Sequence, residues 1–162
     1  MGKLKTMIKA VIFDLGKTLI QEGERDREIK TLKYASEVLD QLKSKFKLAI
    51  ITNVEQTTSF KDVENVLKKA KILDFFDVIL VSSEIGVNKP NERIFQIALE
   101  KLDVKPEEAI MIGNTISTDV FGGNRIGMKT VLLQPDKEYE RSEWEKPNHT
   151  IHSLKELLNL LK

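Results

Sequence analysis

The sequence contains no cysteine. Disulfides, thiolate zinc sites, iron–sulfur clusters and a cysteine nucleophile are therefore excluded. Glycine (8) and proline (4) are sparse among the 162 residues, and aromatics make up only 6%. That excludes a collagen-like repeat and a Pro/Gly-rich disordered chain. Neither sign of charge dominates: 26 Lys+Arg stand against 25 Asp+Glu, a formal net charge of +1. The balance gives no electrostatic reason to expect a nucleic-acid partner or an anionic membrane surface. No apolar stretch approaches the ~18 residues that a membrane helix needs. The first seven residues lack the apolar region and cleavage site of a secretory signal, so the cytoplasm is the expected location.

What is present is ordinary for a globular protein: 41% hydrophobic and 31% charged residues. At roughly 150 residues per domain, one domain over 1–162 is expected. Short apolar runs occur at residues 8–13, 48–51, 78–81, 109–112 and 130–133. Apolar on both faces and rich in β-branched residues, they read as buried parallel strands. Between them, apolar residues recur at three and four: Leu32, Ala35, Leu39, Leu42; then Phe60, Val63, Val66, Leu67; then Ile94, Ala98, Leu102. Leu154, Leu157, Leu158 and Leu161 mark a last helix, whereas Ser82, Ser83 and Glu84 read as loop. The alternation predicts an α/β fold: a doubly wound, Rossmann-like parallel sheet of about five strands with helices on both faces. In such sheets ligands bind beyond the carboxyl ends of the strands.

Those ends carry Asp14, Gly16 and Thr18 after the first run and Thr52 and Asn53 after the second. Lys89-Pro90 follows the third, and Gly113, Asn114 and Asp119 follow the fourth. Two carboxylates, a hydroxyl and an ammonium suit phosphate chemistry. A carboxylate can attack phosphorus, a cation between carboxylates offsets their repulsion toward the anion, and ammonium and hydroxyl groups hold phosphoryl oxygens. Mg2+ is the expected cation, because it takes a few oxygen ligands and keeps several waters. Each residue alone has a plainer reading: Asp14 as a turn residue, Lys89 as one of many surface lysines, Asp119 as a helix cap.

In this order the segments resemble the four motifs of the haloacid dehalogenase-like hydrolases: Asp14…Thr18, Thr52, Lys89-Pro90 and Gly113-Asn114…Asp119. The likeness runs from about residue 8 to 133 and points to a small-cap or capless phosphatase-type member. The resemblance implies that Asp14 is the nucleophile and forms an aspartyl-phosphate. Thr52 and Lys89 would bind the phosphoryl group, and Lys89 would also restrain the charge on Asp14. Mg2+ would be held by Asp14, the carbonyl of Gly16, Asp119 and the amide oxygen of Asn114. The N–H groups of Leu15 and Gly16 would join the phosphate cradle, Asn53 would touch substrate, and Thr18 would support the loop.

Two positions depart from the family pattern. Gly16 stands where phosphatases of the family carry a second carboxylate that protonates the leaving group, and losing a general acid–base lowers rates typically about 10²–10⁴-fold. Asn114 stands where the fourth motif usually has its first acidic residue, which removes a charge from the metal site. Slow turnover, or a restriction to activated phosphates such as aryl or acyl phosphates, is expected. A non-catalytic relative that binds phosphate or a partner protein is the alternative, and a 2-haloacid dehalogenase a weaker one.

Only 38 positions separate Asp14 from Thr52, and 37 separate Thr52 from Lys89. Neither interval has room for a full cap domain beside its helix and strand, and the charged segment 21–30 is expected to form a small flap. The implied partner is a phosphorylated substrate, small molecule or macromolecule. A second copy of the chain acting as lid, in a homo-oligomer, is left open. His149, His152 and Trp144 are read as structural or surface residues, and 134–148 as a long loop.

Overall fold

Side-chain alternation along each strand divides the core into two layers. The computed structural model describes residues 7–21, 29–133 and 142–162. In β1 (Ala10–Phe13), Val11 and Phe13 join one apolar cluster while Ala10 and Ile12 join another. In β2 (Lys47–Thr52), Leu48 and Ile50 go to the first cluster and Ala49 and Ile51 to the second. A strand's side chains point alternately to opposite faces, so a sheet with helices on both sides needs continuous apolar runs.

The first layer is closed by α1 (Ala35–Lys43), which buries Ala35, Val38, Leu39 and Leu42, and by α2 (Phe60–Lys69), which buries Val63 and Leu67. After β3 (Val78–Val81) comes a short turn of helix, α3 (Ser82–Ile85), where the sequence suggested loop. The second layer is closed by α4 (Glu92–Leu102), through Ile94, Phe95, Ala98, Leu99 and Leu102. β4 (Ala109–Gly113) leads through a π-helical turn, Ile116–Val120, into α5 (Phe121–Arg125). β5 (Lys129–Leu133), β6 (His149–Ile151) and α6 (Leu157–Leu160) complete the chain order.

All strand pairs are parallel, in the order β3-β2-β1-β4-β5-β6. Among the described residues the sheet therefore has six strands, against about five expected. The sixth pairs Val131–Leu133 with His149–Ile151 and buries only Ile151, too little apolar surface to show as a run. The chain winds outward from β1 to β3, then returns to place β4 on the other side of β1. The order reverses between β1 and β4, and a crevice opens there at the strands' carboxyl ends.

Of the segment expected to form a flap, residues 22–28 lie outside the described residues. Its described ends run antiparallel: Gln21 N donates to Lys30 O at 2.8 Å, and Leu32 N donates to Leu19 O at 2.8 Å. Of the long loop, 134–141 lie outside as well. Its end is pinned by Asn124, whose amide donates to the carbonyls of Trp144 (2.7 Å) and Lys146 (2.9 Å).

Candidate active site

Asp14 leaves β1 still bonded to the neighbouring strand, its N–H donating to Ile112 O at 2.9 Å. The chain then folds into a tight turn: Leu19 N donates to Leu15 O (2.9 Å) and Lys17 N to Ile20 O (2.9 Å), with Lys17 in the left-handed region at φ 61°. Leu15 and Leu19 sink into the core and anchor the turn. Thr18, also buried, donates from Oγ1 to Asp14 Oδ2 at 3.3 Å.

Lys89 is buried, and its ammonium bridges two carboxylates: Asp14 Oδ1 at 2.9 Å and Asp119 Oδ1 at 2.7 Å. Its backbone is clasped by Asn53, whose Oδ1 accepts from Lys89 N (2.8 Å) while its Nδ2 donates to Lys89 O (3.0 Å). Burial by itself pushes the Lys89 ammonium down. The charges of Asp119 and Asp14 and their hydrogen bonds outweigh it, leaving the pKa raised above its ordinary value. Burial pushes the Asp119 carboxyl up to about 6, against the lowering effect of Lys89.

Asp119 reaches Lys89 because Gly113 has no side chain: a Cβ there would stand 2.1 Å from Asp119 Oδ2. That same Oδ2 accepts from Thr115 N at 3.3 Å. Both oxygens of Asp119 thus face protein donors, and its side chain is only 1% exposed.

Above Asp14 and its buried partners Lys89 and Asp119 lies an open hollow of about 440 Å³. Asp14, Leu15, Gly16, Thr52, Asn53 and Asn114 line it, as does Lys17. Three chain segments far apart in sequence therefore line one place, and a fourth brings Lys89 against Asp14. Lys89 and Asp119 are not among the lining residues: Lys89 touches Asp14 from within, and Asp119 stands against Lys89. Asp119, expected in the metal set, directs its Oδ1 to Lys89 Nζ and its Oδ2 to Thr115 N in this structure. Asn53, expected to touch substrate, borders the hollow and clasps the Lys89 backbone with its amide.

The sequence reading missed Ser82. Its hydroxyl accepts from Val54 N (2.8 Å) and lies 3.3 Å from Val54 O, fastening the loop that follows Thr52. Ser83 donates to Thr58 O, and Glu84 accepts from Phe60 N at 3.0 Å, so α3 holds the whole loop. A serine pair at the end of an apolar run was the only signal. His149 and His152 are exposed, in β6 and just beyond it.

A cation at this hollow would meet oxygen donors: the Asp14 carboxylate, the Gly16 carbonyl and the Asn114 amide oxygen. Among the described residues no group of three or more His, Cys, Asp or Glu could hold a metal. A small set of hard oxygen donors with room for water fits Mg2+, which binds through as few as one or two carboxylates.

The family described as haloacid dehalogenase-like hydrolase matches residues 5–133. A ribulose-1,5-bisphosphate 5-phosphatase of Halopiger xanaduensis is 30% identical over 142 residues, 83% of this chain and 58% of that protein. A glyceraldehyde 3-phosphate phosphatase of Pyrococcus furiosus is 38% identical over 104 residues, 63% of this chain and 43% of that protein. A crystal structure of an uncharacterized protein from Listeria monocytogenes serotype 4b superposes with a TM-score of 0.81 at 31% identity, covering 95% of this chain and 98% of that one. Fold, motif order and these matches together place the chain in the haloacid dehalogenase-like hydrolase family. It spans about half the length of the two curated relatives. Among the described residues no helix is long and apolar enough to cross a membrane.

Proposed function

We propose that this chain is a phosphohydrolase that works through Asp14, in a single domain with no large cap, on a small phosphorylated molecule. The observation that carries the reading is the convergence of Asp14, Thr52 and Asn114 on one hollow with the Lys89 ammonium 2.9 Å from Asp14. Two of its relatives bear phosphatase names, which supports the same class.

In this reading one Asp14 carboxylate oxygen bonds to phosphorus as the bond to the leaving oxygen breaks, giving an aspartyl-phosphate. Water then attacks that phosphorus, releasing inorganic phosphate and restoring the carboxylate. Thr52 and the Leu15 and Gly16 N–H groups hold the phosphoryl oxygens. Lys89 offsets the charge on Asp14, and Asp119 and Asn53 fix Lys89 in place. Asp14, Gly16, Asn114 and Asp119 would hold Mg2+. When bound, Mg2+ would supply positive charge that offsets the repulsion of the phosphate by the Asp14 carboxylate. With glycine at position 16, no carboxylate protonates the leaving group, and water must do so.

The test is hydrolysis of acetyl phosphate and 4-nitrophenyl phosphate with and without Mg2+, in the wild type and in Asp14→Asn. Turnover that needs Mg2+ and disappears in the variant is expected. Turnover unchanged in Asp14→Asn would refute the reading. Gly16 and Asn114 favour a second reading, a relative that binds phosphate without turning it over; retained phosphate binding with no hydrolysis would select it.

A further inference from the structure

The hollow is lined by groups of unlike chemistry: Asp14, Thr52 and Asn114 are polar, whereas Ile20, Val54, Val63 and Val66 offer apolar surface. α2 buries Val63 and Leu67 in the core, yet Val66, three residues beyond Val63, keeps part of its surface open, as do Val54 and Ile20. The polar groups beside this apolar surface have partners of their own. Asp62 accepts from Ser59 N (2.8 Å) and Ser59 Oγ (3.0 Å), and the carbonyl of Thr58 accepts from Ser83. About 440 Å³ is the size of a small-molecule site.

Resting on the phosphohydrolase reading, we infer that the substrates are aryl phosphate monoesters, with the ring against Ile20, Val54 and Val66 and the phosphoryl group at Asp14. An independent observation points the same way: position 16 offers no proton donor. A phenol ionises at a pKa of about 10, so its oxygen departs without one far more readily than an alkoxide of a sugar. Asp14 Oδ bonds to phosphorus, the phosphorus–aryl oxygen bond breaks, and the phenolate leaves with the electron pair and takes a proton from solvent. Water then cleaves the aspartyl-phosphate to inorganic phosphate and a proton.

The experiment is calorimetric binding of two non-hydrolysable probes, phenylphosphonate and methylphosphonate, with Mg2+ present. Phenylphosphonate is expected to bind about tenfold more tightly, from the apolar area its ring covers. Val66→Ser and Val54→Ser, at positions that are only half-buried, should each bring that ratio down to about threefold or less. Equal affinities in the wild type, or an unchanged ratio in both folded variants, would overturn the inference. Acetyl phosphate, which has no ring, separates the two readings. Turnover of it dependent on Asp14, with equal phosphonate affinities, sinks the aryl inference alone. No turnover and no binding of either probe sinks both.

Discussion

Lys89 is the residue on which the buried charges balance. With one ammonium between the carboxylates of Asp14 and Asp119, its removal leaves two negative groups in a shared, largely dry space. Breaking such a pair from one side typically costs about 3–5 kcal/mol. Lys89→Met should therefore lower unfolding stability by that order, read by urea denaturation, and abolish turnover. A change under 1 kcal/mol would mean the ion pairs are not formed in solution. Asp119 gives a pH dependence of definite sign. Its folded pKa of about 6 lies above the ordinary 3.8, so between these values the folded chain binds more protons than the unfolded one. Its contribution is complete below 3.8 and is lost as pH rises through about 6. Measured without divalent cation, the stability of wild type minus that of Asp119→Asn should fall between pH 4 and 6.5; a flat difference would contradict it. Gly16→Asp should restore a proton donor and raise kcat on alkyl phosphates by about 10²-fold or more, with little gain on aryl phosphates.

At the scale of elements, α3 shows how a short helical turn fastens a loop to the site. Ser82 is buried, with Oγ bonded to the backbone of Val54, two residues past Thr52. Ser82→Ala should cost about 1–3 kcal/mol, because the Val54 N–H is left without that acceptor. It should also raise KM more than it lowers kcat, since the loop borders the hollow while Asp14 is held elsewhere. The same element explains what the sequence hid. β1, β2, β4 and β5 were legible because apolar residues fill both faces; α3 was not, because four residues give no helical period. The order of Asp14, Thr52, Lys89 and Asn114 revealed the convergence. The inward turn of Asp119 and the Asn53 clasp on Lys89 did not show, because they join side chains 30 and 36 positions from Lys89. Val66 looked like one more core position on its helix, and only the packed structure shows the part of it facing the hollow.

Considered as a whole molecule, the protein places its site at one end of a parallel sheet, between strands that each need helices on both faces. A cation bound only by the folded chain stabilises it by mass action, about 2.7 kcal/mol at a hundred times its Kd. Mg2+ should therefore raise the Tm of the wild type, and the rise should shrink in Asp14→Asn. Asn114→Asp should enlarge it by restoring a carboxylate to the oxygen set. A Tm indifferent to Mg2+ in all three would argue against a cation at this hollow.

The strand order has a consequence for a chain emerging from the ribosome. β1 is made first and lies at the centre of the finished sheet, yet its neighbour on one side is β4, which begins only at Ala109. Until translation passes that point, one row of β1 backbone donors and acceptors has no native strand beside it, an arrangement open to wrong pairing. Nascent chains stalled before β4 should accordingly be the ones that bind chaperones, and those stalled well past α5 should not.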